Sequence, residues 1–75
     1  MKLKEMRLSR GLSQSKLASK AGINVRTLQN YEQGFKDFNN SQLKTVVRVA
    51  DALNCNLQDI IDDQELIDML NKMNK

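Results

Sequence analysis

The sequence predicts an all-α protein, and three observations carry that prediction. Apolar residues recur at helical spacing along most of the chain. Three glycines, Gly11, Gly22 and Gly34, each follow such a segment, at the place where a residue tolerant of positive φ ends a helix. The 75 residues contain no proline, so no segment is interrupted by a missing N–H. Apolar residues make up 40% of the chain and include only two Phe and one Tyr. A core of Leu, Ile, Val, Ala and Met follows, which suits packed helices.

The first helix is expected over about 2–10, with Leu3 and Met6 inward. The second covers about 14–21, with Leu17, Ala18 and Ala21 inward, and the third about 25–33, with Leu28 and Tyr31 inward. Their starts are marked as clearly as their ends. Ser13 and Asn24 are side chains that accept hydrogen bonds from free N–H groups at a helix start. Leu12 with Leu17, and Ile23 with Leu28, have the spacing of a hydrophobic staple. Cys55, Asn56 and Ile60 repeat that pattern further on.

Residues 35–40 read as a loop, in which one of Phe35 and Phe38 plugs the core and the other is exposed. A fourth helix is expected over about 41–53, with an inner stripe of Leu43, Val46, Val47, Ala50 and Leu53, ended by Asn54. A fifth covers about 57–62, with Leu57, Ile60 and Ile61 inward. A last amphipathic segment, about 64–73, offers Leu66, Ile67, Met69, Leu70 and Met73. The organisation expected is a compact five-helix unit over 1–62 and a C-terminal amphipathic helix over 63–75.

Composition removes several functions. With one cysteine, Cys55, an intrachain disulfide cannot form; it reads as a small buried apolar residue, because no histidine is present to activate it. The same lack of histidine removes the usual general base and zinc ligand. Asp62 and Asp63 are adjacent, so on a helix they point about 100° apart and do not pair. No phosphate-cradling glycine loop is present. An enzyme is therefore not expected, and neither is a cofactor or a metal. No run of about 18 apolar residues offers a membrane span, and the N-terminus lacks the apolar core of a secretory signal. Asn39-Asn40-Ser41 matches a glycosylation acceptor by chance, and a cytoplasmic location is expected. At this length a second, effector-binding domain is not expected.

The net charge of +3 hides an asymmetry. Residues 1–36 hold eight Lys/Arg and two Glu, whereas residues 37–75 hold four Lys/Arg and seven Asp/Glu. One half can face a polyanion while the other faces away.

Two short helices joined by a glycine-containing turn form a recurrent DNA-docking unit. The first lies across the backbone and the second enters the major groove. Residues 13–34 have this form. Starting from Val25, helical spacing puts Arg26, Gln29, Asn30 and Gln33 in one arc of about 140°, with Leu28 and Tyr31 opposite. Arginine donates two hydrogen bonds to guanine, and Asn or Gln bonds adenine in bidentate fashion. Val25 and the Thr27 methyl suit a thymine methyl. Glu and Lys dominate ordinary solvated faces, but this one is built from Gln, Asn and Arg.

The stretch Leu12-Ser13-Gln14-Ser15-Lys16-Leu17-Ala18-Ser19-Lys20-Ala21-Gly22-Ile23 resembles the second helix and turn of the Cro/phage-repressor (XRE) family. Leu28-Gln29-Asn30-Tyr31-Glu32-Gln33-Gly34 is similar to the end of its recognition helix, and Leu53-Asn54-Cys55-Asn56-Leu57 to its link into a final helix. The resemblance covers roughly residues 3–61 and implies a repressor-type DNA-binding domain. It implies that Val25, Arg26 and Asn30 touch bases, with Gln29 beside them in the arc. Gln14 matches a glutamine that bonds a phosphate and braces the recognition helix. Thr27 and Lys36 match positions near phosphate, and Gln33 is assigned there too. Arg7 and Glu32 match a salt bridge that ties helix 1 to helix 3.

The loop after helix 3 departs from the family's basic, proline-containing form, since it holds Phe35, Asp37 and Phe38. The acidic tail, with Asp62, Asp63, Glu65 and Asp68, either closes the core or pairs two copies. A two-fold dimer would set two recognition helices about 34–36 Å apart on a palindromic site. Its acidity argues against anionic membranes. The partner expected is double-stranded DNA, read by a small transcriptional repressor. The alternative is an antitoxin-like protein that also binds a toxin-like partner through Phe35, Phe38 or the Met-rich tail.

Overall fold

Ser13 and Asn24 each start a helix by the same device. In the computed structural model, which describes residues 1–73, the Lys16 N–H donates to Ser13 Oγ at 3.1 Å, and the Arg26 N–H to Asn24 Oδ1 at 2.8 Å. These caps begin α2 (Gln14–Ala21) and α3 (Val25–Gln33). Gly22 ends α2 with φ +70°, a left-handed conformation that costs any residue with a Cβ about 1–2 kcal/mol. Its N–H and that of Ile23 return to the last carbonyls of α2. The turn between the two helices is thereby only three residues long.

The remaining elements are α1 (Lys2–Ser9), α4 (Leu43–Leu53) and α5 (Gln64–Met73), with 3-10 turns at Phe38–Asn40 and Leu57–Asp59. The described residues contain no strand. The fold is all-α. It measures 34 × 24 × 20 Å. α2 lies at its centre, packed against α4 and α3, while α1 and α5 approach the 57–59 turn. Leu3, Leu17, Leu28, Val49, Leu53 and Ile60 are the largest fully buried side chains. Burial of each contributes about 1.5–3 kcal/mol. Tyr31 meets Phe38 edge-on, with ring centroids 5.1 Å apart. Phe38 is the loop aromatic that fills the core, and Phe35 is 75% exposed.

The fourth helix starts two residues later than expected. Ser41 is extended, with ψ 165°, and its hydroxyl donates to the Asp37 carbonyl instead of capping a helix. The inner stripe also differs. Leu43 and Val47 are 71% and 45% exposed, whereas Val49 is fully buried. At about 100° per residue, Val46, Val49, Ala50 and Leu53 fill an arc of roughly 100°, and Val47 falls about 110° from its centre.

The fifth helix expected over 57–62 shrinks to a single 3-10 turn. The Asp59 carboxylate accepts from the Asn56 N–H at 2.9 Å, closing the turn on itself. Ile60 then leaves helical geometry at φ −123° and ψ −3°. Asp63 accepts from the Glu65 and Leu66 N–H groups, at 3.0 and 3.3 Å, and so begins α5. The departure at Ile60, before α5 begins, is what holds the segment to a single turn. Ile60 and Ile61 are buried, as expected.

Leu66, Ile67 and Leu70 pack on the core, but Met69 and Met73 are 45% and 77% exposed. Met6 and Cys55 are half-buried at the core's edge. No helix of the described residues is long and apolar enough to cross a membrane.

Candidate nucleic-acid interface

The presentation of α3 is set by a buried polar cluster behind it. Arg7 Nε donates to Glu32 Oε2 at 2.8 Å and Arg7 Nη2 to Glu32 Oε1 at 2.9 Å. The third arm of the guanidinium, Nη1, donates to the Leu12 carbonyl at 2.8 Å. Gln14 Nε2 donates to Glu32 Oε1 at 3.1 Å. One carboxylate therefore ties α1, the start of α2 and α3 together. The Arg7 and Glu32 side chains are 8% and 3% exposed, so the bidentate pair is shielded from water and salt.

This arrangement also settles what an acid can do beside a polyanion. Glu32 is the only acid between residues 10 and 36, against five Lys/Arg. Its charge is matched by Arg7 and its oxygens are occupied. Gln14, half-buried at the start of α2, keeps a second amide N–H. That N–H can donate to a phosphate oxygen without releasing Glu32.

On the outer side of α3 the side chains form a graded strip. Arg26 and Gln33 are exposed, and Gln29 and Asn30 are half-buried at its flanks. Arg26 and Gln33 lie seven residues apart, hence nearly in line along the axis. All four present side chains capable of base-edge hydrogen bonds. Val25 is half-buried and packed against the core, so only part of its surface is available to a ligand. Thr27 is half-buried too. It faces a polar cleft shared with Tyr31, Lys36, Asn40, Gln42 and Thr45.

Lys36 belongs to the same surface. Its N–H and that of Phe35 donate to the Asn30 carbonyl, at 3.2 and 2.9 Å. These bonds satisfy the end of α3 and hold the exposed Lys36 beside it. Asp37 borders the same cleft, and its carboxylate is largely spent on its own loop. It accepts from the Asn39 N–H at 3.0 Å and from Asn40 Nδ2 at 2.6 Å. An acid at this position could be seen in the sequence, but its use as a loop organiser could not.

A second positioning residue carried no sequence signal. Arg10 Nε donates to the Leu53 carbonyl at 2.9 Å and Nη2 to the Asn54 carbonyl at 3.4 Å. A cation at the C-terminus of α4 satisfies free carbonyls and favours the helix dipole. It also locks the start of the helix-turn-helix to the far end of α4. Lys16 and Lys20 are further exposed bases on α2.

Cys55 lies close to Arg10 and Asp59. Burial, then the Asp59 carboxylate, push its thiol pKa up, and Arg10 opposes them. A protonated, half-buried thiol is a poor nucleophile, which agrees with a packing role.

No curated protein and no solved structure gives a significant match to the chain. The family comparison does: the model of the family described as Helix-turn-helix matches residues 3–60. The match spans α1 to the 57–59 turn and includes every residue of the α2–α3 surface described above. The chain belongs to the helix-turn-helix family of Cro/repressor (XRE) type, whose members are DNA-binding regulators.

Proposed function

We infer that the protein is a sequence-specific duplex DNA-binding repressor, acting in the cytoplasm, which seats α3 in the major groove. The observation that supports this most strongly is the exposed strip of Arg26, Gln29, Asn30 and Gln33 on a helix whose back is fixed by the Arg7–Glu32–Gln14 cluster. Pre-positioned donors lose little freedom on binding. Arg26, Gln29 and Asn30 read base edges, and Val25 adds an apolar contact to a thymine methyl. Gln14, Thr27, Gln33 and Lys36 hold phosphates and set the register of α3. Repression follows from occupancy of a site that polymerase needs, for which no second domain is required.

Amide chemical shifts of isotopically labelled protein, titrated with an enriched duplex, test the docking mode. Shifts concentrated at Gln14, residues 25–33 and Lys36 are expected. Shifts confined to α1 and α5 would overturn it.

One observation favours a second reading, a toxin-like protein partner. Phe35 is 75% exposed beside the interface, and a large exposed aromatic is typical of protein contacts. Phe38, the other aromatic considered for that role, is 2% exposed and cannot serve it. Co-expression with the product of an adjacent reading frame decides the matter. A stable complex abolished by Phe35→Ser supports this reading, and independent elution of the two proteins removes it.

A further inference from the structure

Tyr31 is 6% exposed, and its ring packs edge-on against Phe38. A tyrosine buried to this extent normally finds a partner for its O–H. No hydrogen bond within the described residues reaches this hydroxyl, and no enclosed side-chain oxygen or nitrogen there lacks a partner. The hydroxyl therefore sits where the buried ring meets the surface. Helical side chains lean toward the N-terminus of their helix, so the ring runs back over Thr27, about one turn earlier. That side of α3 opens on the polar cleft of about 550 Å³ that Tyr31 lines with Thr27, Lys36, Asn40, Gln42 and Thr45.

The cleft is rich in donors and nearly neutral. Thr27 and Thr45 bring hydroxyls, and Lys36 an ammonium group. Gln42 begins α4 without a side-chain cap, so the first N–H groups of that helix receive no acceptor from it. Asp37 borders the cleft and offsets the charge of Lys36, but its carboxylate is taken up by Asn39 and Asn40. An anion entering here is held by hydrogen bonds from neutral groups more than by net charge. Along a duplex that anion is the phosphate backbone, which flanks any helix seated in the major groove.

We propose that the Tyr31 hydroxyl is a phosphate donor of the DNA interface, binding a backbone oxygen that enters the cleft beside Thr27 and Lys36. A hydrogen bond to a charged acceptor is stronger than one between neutral groups. The ring is already fixed by the core, so the donor loses little freedom on binding. A phosphate contact carries no base information and sets the register of α3. Tyr31 thus fills the core with its ring and positions the helix with its hydroxyl. The inference rests on the DNA-binding reading.

Tyr31→Phe keeps the ring and removes only the hydroxyl. Its melting temperature is expected to match that of the wild type, because no partner within the fold is lost. A clear fall would place the hydroxyl in an internal bond and overturn the proposal. On the selected duplex and its single mismatches, Tyr31→Phe is expected to weaken binding about tenfold or more. The loss is the same for every sequence and leaves the salt slope unchanged, since a neutral donor displaces no counterion. Wild-type affinity in Tyr31→Phe, or a loss confined to one base pair, would overturn the proposal. Methylphosphonates placed singly along the duplex identify the phosphate. At one position the loss seen with wild type should shrink in Tyr31→Phe, and additive losses at every position would contradict a direct contact. Inorganic phosphate, titrated into the free protein at constant ionic strength, tests the other source of the same chemistry. No saturable shift at Tyr31 and Thr27 is expected; saturation at millimolar concentration would assign the cleft to a small phosphorylated ligand and overturn the DNA contact. Wild-type protein that binds no duplex specifically removes the DNA-binding reading and this inference together, whereas wild-type binding indifferent to Tyr31→Phe removes this inference alone.

Discussion

Arg7 and Glu32, 25 residues apart, meet through two parallel hydrogen bonds of 2.8 and 2.9 Å inside the protein. Gln14 joins the same carboxylate from α2, so the contact ties α3 to both α1 and α2. Removing one partner leaves the other charge buried and unmatched. Glu32→Ala is expected to cost about 3–5 kcal/mol of stability, measured by urea unfolding. The double change Arg7→Met with Glu32→Leu, which buries apolar groups instead, should cost far less. Equal losses for the single and double variants would show that the pair itself, and not an orphaned charge, supplies the stability.

The turn makes a separate demand. A Cβ at Gly22 meets nothing within 4 Å, but φ is +70°. Gly22→Ala is therefore expected to destabilise by about 1–2 kcal/mol through backbone strain alone, and Gly22→Asn by less, since asparagine tolerates that conformation. A melting temperature unchanged in Gly22→Ala would contradict the strained-turn account.

Arg26 and Lys36 separate base reading from phosphate binding. Arg26→Ala should relax specificity at one base pair at a cost of about 1–3 kcal/mol. Lys36→Ala should weaken every sequence alike and reduce the salt slope by about one. Binding isotherms on matched and single-mismatch duplexes at several salt concentrations distinguish the two. Uniform loss in Arg26→Ala would remove it from base contact, and an unchanged slope in Lys36→Ala would remove it from phosphate.

Burial and Asp59 push the Cys55 thiol pKa above its usual value. The thiol thus holds its proton longer in the folded protein than in the unfolded chain. Its contribution to stability is complete below the unfolded pKa and is lost as pH rises through the raised folded value. Alkylation of native protein should stay slow at neutral pH and accelerate only in alkaline solution, while urea-unfolded chain reacts readily at lower pH. Rapid modification of the native protein at pH 7 would contradict this.

What the sequence revealed depended on whether both ends of an element were marked by local chemistry. Asn24 and Gly34 bracket α3, and its bounds agree with the expected 25–33. Ser13 and Gly22 do the same for α2. At α4 the local signal misled: Ser41 has a capping side chain, yet Asp37 recruits its hydroxyl across a four-residue loop. Val49 and Val47 have the same chemistry, and only the position of α2 decides which is buried. The Arg10–Leu53 contact spans 43 residues and depends on tertiary placement that spacing does not encode. For the interface itself, residue type and helical angle identified the strip on α3. The degree to which Val25 and Thr27 are covered became visible only with the packing around them.

Selection of bound duplexes from a random DNA pool, with the winners' affinities followed across salt concentration, tests the central claim most directly. A defined motif, altered at one base pair in Arg26→Ala and bound with a steep salt slope, is the result predicted for α3 in the major groove. No enrichment of any sequence, with weak binding confined to low salt, would contradict it.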